Sequence, residues 1–246
     1  MFTAPQKKTP WLVAGKSDTG IARHTNEDAF FCGFPSGGSG FAVIADGVGG
    51  LEFGERASST AVEGVRRHFE KTEFPVPARP DFAALFRALD AEIEALGEKL
   101  VPGFCIASTL DVVAAGADAV LHFAHLGDSG IFMLRGNELT RLSEEHTLAA
   151  EERARGNRDF PPVYNNTLTR ALGIGVDPNP QAFSLQTRPG DRFLLATDGI
   201  TRALPPEKIS ALVGNAPAPE AAAAALVAAA NEAGGHDNAT AVLLFA

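Results

Sequence analysis

Four aspartates, each beside a small residue and mostly at the tail of an apolar run, constrain this chain more than any other feature. Asp46 ends Ala-Val-Ile-Ala-Asp-Gly, Asp128 sits in His-Leu-Gly-Asp-Ser, Asp198 ends Leu-Leu-Ala-Thr-Asp-Gly, and Asp237 lies in Gly-His-Asp-Asn. A short aliphatic or β-branched run before a Gly-flanked polar residue reads as a buried strand reaching the sheet edge. A fold built on such strands can deliver carboxylates from distant parts of the chain to one small volume. Like charges a few Å apart raise each other's pKa, so that volume calls for cations. Hard divalent ions prefer oxygen ligands. The pattern points to a multi-metal carboxylate site.

A chain of 246 residues is long enough to bury a substantial core. With 45% hydrophobic and 21% charged residues it has the composition of a soluble globular protein. The formal net charge of -9, with no basic run, argues against nucleic acid as a partner. Cys32 and Cys105 are the only cysteines and form no CxxC pair, so a thiolate-zinc site has no support and both read as small buried hydrophobes. No apolar stretch approaches the ~18 residues of a membrane helix. The N-terminus lacks a signal-peptide pattern, so a cytoplasmic location is expected.

Strands are expected at Trp11–Ala14, Phe30–Gly33 and Phe41–Ala45, with a loop at Pro35–Gly40. Apolar residues at helical spacing predict a helix over Phe53–Lys71 and a second carrying Phe82, Leu85, Phe86, Leu89, Ile93 and Leu96, with prolines between them. Thr109–Ala115, Ala119–Leu126, Ile131–Arg135 and Glu138–Leu142 read as a meander of short strands. Glu144–Asn166 is polar, Pro-interrupted and aperiodic, and reads as a long functional loop. A strand at Arg192–Ala196, a short helix near Pro206–Val213, an alanine-dense helix over Glu220–Ala233 and a last strand at Thr240–Phe245 complete the pattern. Without βαβ alternation this is an α+β chain, and residues 1–246 read as a single domain.

Each chemical motif has a bland reading beside the functional one. Asp46-Gly47-Val48-Gly49-Gly50 reads as a tight turn, since Asp-Gly favours positive φ, or as a backbone whose carbonyl can reach a cation. Gly127-Asp128-Ser129-Gly130 matches the surroundings of a trypsin-like nucleophile. Ile131 replaces the usual next glycine and no Ala-Ala-His-Cys segment exists, so Asp128 reads better as a metal-side carboxylate in a hairpin. Arg23-His24-Thr25-Asn26-Glu27-Asp28 is either a solvated loop or a guanidinium fork for phosphate beside acids that hold metal-bound waters.

Together these segments resemble the metal-dependent serine/threonine protein phosphatases of the PP2C (PPM) family in their bacterial form. The resemblance spans nearly the whole chain in the family's order. It runs through Arg23–Asp28, Asp46–Gly50, Ala107-Ser108-Thr109, His125–Ser129, Thr169–Gly173, Ala196–Gly199 and Asp237–Thr240. It implies a central β-sandwich flanked by α-helices, with the metal site in a cleft at one end. By the same resemblance Asp46 bridges two Mn²⁺ or Mg²⁺ ions and the Gly47 carbonyl binds one of them. Asp198 and Asp237 complete the ligands of the other. Glu27 and Asp28 hold coordinated waters, Asp128 shares a third, weaker ion with Asp198, and Arg23 grips the substrate phosphate. A metal-bridging hydroxide attacks phosphorus in line.

The implied substrates are phosphoproteins of a cognate Ser/Thr kinase, the implied cofactors two to three Mn²⁺ or Mg²⁺, and the expected state a monomer. Two departures stand out. Val48 occupies a position where some family members have a histidine proposed as general acid, so the leaving group must be protonated by water or another residue. His24, His125, His146 and His236 lie near motifs but read as structural or solvent-facing. The Glu144–Asn166 stretch, aligned with the family's flap, is short. A phosphatase-like binding domain without turnover and a hydrolase of small phosphoesters are the competing readings. The complete set of aspartates counts against the first.

Overall fold

The computed structural model describes residues 11–34, 39–48, 53–76 and 78–246. Gly49 and Gly50 of the Asp-Gly box, most of the Pro35–Gly40 loop and Pro77 lie outside the described residues. The chain begins with β1 (Leu12–Asp18), β2 (Asp28–Gly33) and β3 (Phe41–Asp46), then α1 (Gly54–Phe69) and α2 (Phe82–Leu100). Four strands follow, β4 (Leu110–Ala115), β5 (Val120–Leu126), β6 (Gly130–Arg135) and β7 (Glu138–Arg141). The short α3 (Leu148–Ala154) and a 3₁₀ turn (Pro162–Asn166) lead to β8 (Gln181–Gln186) and β9 (Arg192–Ala196). The chain closes with α4 (Asp198–Thr201), α5 (Pro206–Asn215), α6 (Pro219–Glu232) and β10 (Ala239–Phe245).

Period-two alternation turns these strands into four layers. On β3, Ala42 and Ile44 face the space between two sheets, while Phe41, Val43 and Ala45 face α1 and α2. On β10, Val242 and Leu244 face inward and Ala241, Leu243 and Phe245 pack on α5 and α6. Both faces of each central strand are covered, which is why these runs are continuously apolar. One sheet has the order β1-β10-β9-β6-β7 and the other β2-β3-β4-β5-β8. Every strand pairing within them is antiparallel. The α+β sandwich flanked by helices is therefore observed.

The connections position the site. β5 and β6 belong to different sheets, so Gly127–Ser129 is a corner carrying the chain across the sandwich. The expected meander and the hairpin at Asp128 are thus corrected: a Gly-containing turn between two short strands reads the same whether the chain folds back or crosses over. The stretch containing Arg23 and Glu27 likewise crosses from β1 in one sheet to β2 in the other.

Four further expectations are revised. The first helix starts at Gly54, after Phe53 in a left-handed conformation at φ 65°. The polar Glu144–Asn166 stretch contains α3, which carries one buried residue, Ala149, and so shows no apolar stripe. Its N-cap Thr147 accepts a hydrogen bond from Ala150 N at 3.1 Å, the local signal that starts it. The half-exposed edge strand β8 has no sequence counterpart among the expected elements. Cys105 is exposed rather than buried, in the turn after α2.

Candidate active site

Asp28 and Asp46 are direct partners in the β2–β3 register, so two acids from different motifs share one end of a sheet. The Asp46 backbone is fixed by the two residues just before β4: its N–H donates to Thr109 Oγ1 at 2.9 Å, and its carbonyl accepts from Ser108 Oγ at 3.1 Å. This is what the Ala107-Ser108-Thr109 segment does, with Ser108 in isolated bridges to Gly47 and Leu172. Gly47 N donates to Glu27 O at 3.0 Å, joining the Arg23–Asp28 segment to the Asp-Gly box.

The two Asp-Gly glycines serve close approach. Neither Gly47 nor Gly199 has positive φ. A β-carbon on Gly47 would collide with the Gly54 carbonyl group where α1 begins, and one on Gly199 would collide with the Asn238 carbonyl. Each glycine lets another segment pass directly beside its aspartate, so the expected positive-φ turn is replaced by a crossing of chains.

From the other sheet, Asp198 follows the end of β9 and opens α4, while Asp237 immediately precedes Asn238 and β10. Asn238 stitches this corner to the β1–β2 crossing. Its side-chain oxygen accepts from Glu27 N at 2.8 Å, and its amide donates to Thr19 O at 2.8 Å and Thr25 O at 3.0 Å. Thr197 and Thr240 donate their hydroxyls to Asp28 Oδ2 at 2.9 and 2.6 Å. The other oxygen, Asp28 Oδ1, is buried without a partner.

All the expected residues border one cavity of about 140 Å³ or sit immediately behind it. Asp46, Gly47, Asp128, Asp198, Asp237 and Arg23 line it, and Glu27 and Asp28 stand at its back. The lining also includes Arg202, which the sequence patterns did not single out. Its signal was present: it lies four residues after Asp198, the spacing at which two helical side chains meet. A larger groove of about 570 Å³ between β7 and α5 has only Glu138 and Glu207 as ionisable lining groups and lies apart from the aspartates.

The electrostatics are those of crowded anions. Burial pushes Asp28 up to about 7, against the pull of the Thr240 and Thr197 hydroxyls. Asp46 is held well above the ordinary carboxylate range, first by desolvation and then by Asp28, Asp198, Asp128 and Asp237. Burial and then Asp198 raise Asp128 to about 6, although Arg202 opposes the shift. Asp198 is raised by burial and by Asp237, again against Arg202.

Two guanidiniums divide the counter-charge. Arg23 meets Asp237 at 3.0 Å and Glu27 at 3.4 Å, while Arg202 meets Asp128 at 2.6 Å and Asp198 at 3.0 Å. Asp46 makes no ion pair among the described residues. No three acidic, imidazole or thiol groups among the described residues converge on one point, so the carboxylates ring a space rather than form a closed cage.

These residues fit divalent ions such as Mn²⁺ or Mg²⁺. The donors are all oxygen, Asp28 Oδ1 lacks a partner, and the mutual repulsion of the acids is the kind that cations relieve. The histidines are placed elsewhere. His24 and His236 are exposed. His125 is buried with Nδ1 2.5 Å from Asp111 Oδ1 and Nε2 2.8 Å from the Glu144 carbonyl. His146 accepts from Gly127 N, and burial lowers it to about 3. None lines the cavity, as their structural or solvent-facing reading expected. Ser129 is fully buried, 3.1 Å from Thr109 Oγ1, which excludes a serine nucleophile in that motif.

The family profile of protein phosphatase 2C matches residues 21–236, a span that includes Asp46, Asp128 and Asp198 and stops one residue short of Asp237. The chain belongs to the protein phosphatase 2C family. Within it, the chain is 27% identical over 236 residues to the serine/threonine phosphatase Stp of Listeria monocytogenes, covering 93% of each. The structure is similar to that of the Mycobacterium tuberculosis serine/threonine phosphatase PstP/Ppp, with a TM-score of 0.84, 28% identity and coverage of 96% of this chain and 98% of that one. It is also similar to the PstP catalytic domain in complex with 2 manganese ions, with a TM-score of 0.82, 28% identity and coverage of 96% and 97%. Membership makes this chain a phosphoprotein phosphatase by class. No helix among the described residues is long and apolar enough to cross a membrane.

Proposed function

We propose that this protein hydrolyses phosphoserine and phosphothreonine on protein substrates, using two Mn²⁺ or Mg²⁺ ions and opposing a Ser/Thr kinase. The observation that carries the reading is the meeting of Asp46, Asp198 and Asp237, from both sheets, in one cavity with Arg23 beside Asp237. Asp46, Asp198, Asp237 and the Gly47 carbonyl would hold the ions, and Glu27 and Asp28 would hold their waters. When bound, the ions supply acidification of water and neutralisation of the phosphoryl oxygens.

The remaining work falls to the chain. Arg23, 36% exposed at the cavity mouth, exchanges its Asp237 and Glu27 partners for a substrate phosphate that its fork fits. The hydroxyls of Thr197 and Thr240 occupy Asp28 Oδ2 and leave Oδ1 as the acceptor without a protein partner. Val48 lines the cavity and offers no proton, so the leaving serine or threonine oxygen takes its proton from water or another residue. A cytoplasmic location and a monomeric state belong to the same proposal.

Kinetics on two substrates test it. A phosphothreonine peptide should give the higher kcat/KM, and an aryl phosphate the lower, both requiring Mn²⁺. Equal or reversed preference would favour a small-phosphoester hydrolase. Manganese binding without turnover of either would favour a binding domain.

A further inference from the structure

Arg202 has no role in the reading above, yet it lines the site cavity. Its fork spans two carboxylates, with Nη2 2.6 Å from Asp128 Oδ2 and Nη1 3.0 Å from Asp198 Oδ2. The same two nitrogens donate to the 3₁₀ turn at the mouth, Nη1 to Asn166 Oδ1 at 2.7 Å and Nη2 to the Asn165 carbonyl at 3.1 Å. One planar cation thus meets four acceptors from three separate segments. Asp128 is held in place for this contact, since Arg141 Nη2 donates to the Asp128 and Ser129 carbonyls at 3.1 and 2.8 Å.

Arginine stays charged at any working pH and its geometry matches paired carboxylates. A guanidinium bridging Asp128 and Asp198 and a divalent ion shared by the same two carboxylates compete for the same oxygens. The charge Arg202 supplies needs no binding from solution, and it comes tied to the mouth.

We propose that Arg202 is a resident cation at the Asp128–Asp198 pair, taking the place of a third metal ion and latching the Pro162–Asn166 turn to the site. The inference rests on the two-metal reading above. It makes Arg202 a positioning residue: the turn at the mouth and the carboxylate of a metal ligand are held by one side chain, so the site is charge-compensated and covered together. The complement of ions is two, and a third position opens only when the guanidinium is removed.

Calorimetric titration with Mn²⁺ decides this, read together with amide exchange at residues 163–166. The wild-type protein should bind two ions. Arg202→Ala and Arg202→Met should each bind three, and Arg202→Ala combined with Asp128→Asn should return to two. In both single variants exchange at 163–166 should rise by at least about tenfold, as expected when two hydrogen bonds to a charged group are lost. Arg202→Lys, which keeps the charge without the fork, should stay at two ions but show the faster exchange. The side chain is 40% exposed, so neither truncation threatens the fold. Three ions in the wild type, or two in both Arg202 truncations, would overturn the proposal and leave the two-metal reading standing. No binding to the wild type would overturn both.

Discussion

The two flanks of the aspartate cluster use the same kind of counter-charge differently. On one flank Arg23 contacts Asp237 and Glu27 and makes no other side-chain hydrogen bond or ion pair among the described residues. On the other Arg202 contacts Asp128 and Asp198 and is also bonded to the 3₁₀ turn through Asn165 and Asn166. Asp46 lies between them with no ion pair among the described residues. A guanidinium with two weakly held partners can exchange one for an incoming phosphate. A guanidinium with four acceptors is structural and stays. On the proposed function, this asymmetry puts substrate binding on the Arg23 flank and site closure on the Arg202 flank, and the ions would sit in the uncompensated middle.

The largest expected effect comes from that middle. Asp46→Asn should lower kcat by about 10³-fold or more while the circular dichroism spectrum is unchanged, because the substitution removes a charge the metal-free fold disfavours. Wild-type turnover in this variant would remove Asp46 from the metal site. Next is the Arg23 flank: Arg23→Ala should raise KM for a phosphopeptide about 10- to 100-fold with a smaller change in kcat, the loss of one charge-assisted phosphate contact. An unchanged KM would make the two flanks alike after all.

A smaller effect should come from behind the metals. Thr197→Val takes a hydroxyl from Asp28 Oδ2 and should weaken Mn²⁺ binding about tenfold in a calorimetric titration. The same titration showing unaltered affinity would mean that Asp28 does not act on the ions.

The last expected effect is a pH dependence. Asp28 moves from an ordinary 3.8 to about 7 in the metal-free fold, so the folded protein holds a proton that the unfolded chain has released. Metal-free stability should therefore decline as pH rises from about 4 through about 7. Mn²⁺, which must displace that proton, should raise Tm more at pH 7.5 than at pH 5.5. Thermal melts with the larger rise at pH 5.5 would contradict the sign.

Much of the site was legible because local chemistry writes it into short segments. Asp46 and Asp198 follow apolar strand runs, and Glu27, Asp28 and Asp237 lie in compact polar motifs, so each could be named before its neighbours were known. Arg202 could not. Three of its four acceptors come from residues 36 to 74 positions away, and only Asp198 is a sequence neighbour. The glycines were legible as necessary but for another reason than the true one, since close approach of Gly54 or Asn238 is a tertiary fact.

The fold shows the same division. Continuous apolar runs gave the central strands and helical spacing gave α1, α2 and α6. The crossing at Asp128 was read as a hairpin because a turn motif does not state which sheet the next strand joins. The α3 helix and the edge strand β8 carry too little buried surface to leave a periodic signal.

The most direct measurement is phosphate release from a phosphothreonine peptide by the wild-type protein, first with Mn²⁺, then after chelation, then with Mn²⁺ restored. The aspartate site predicts activity that disappears on chelation and returns with the metal. Turnover that persists at full rate in the chelator would contradict it, because the described site residues would then be hydrolysing the ester without the ions their carboxylates are arranged to hold.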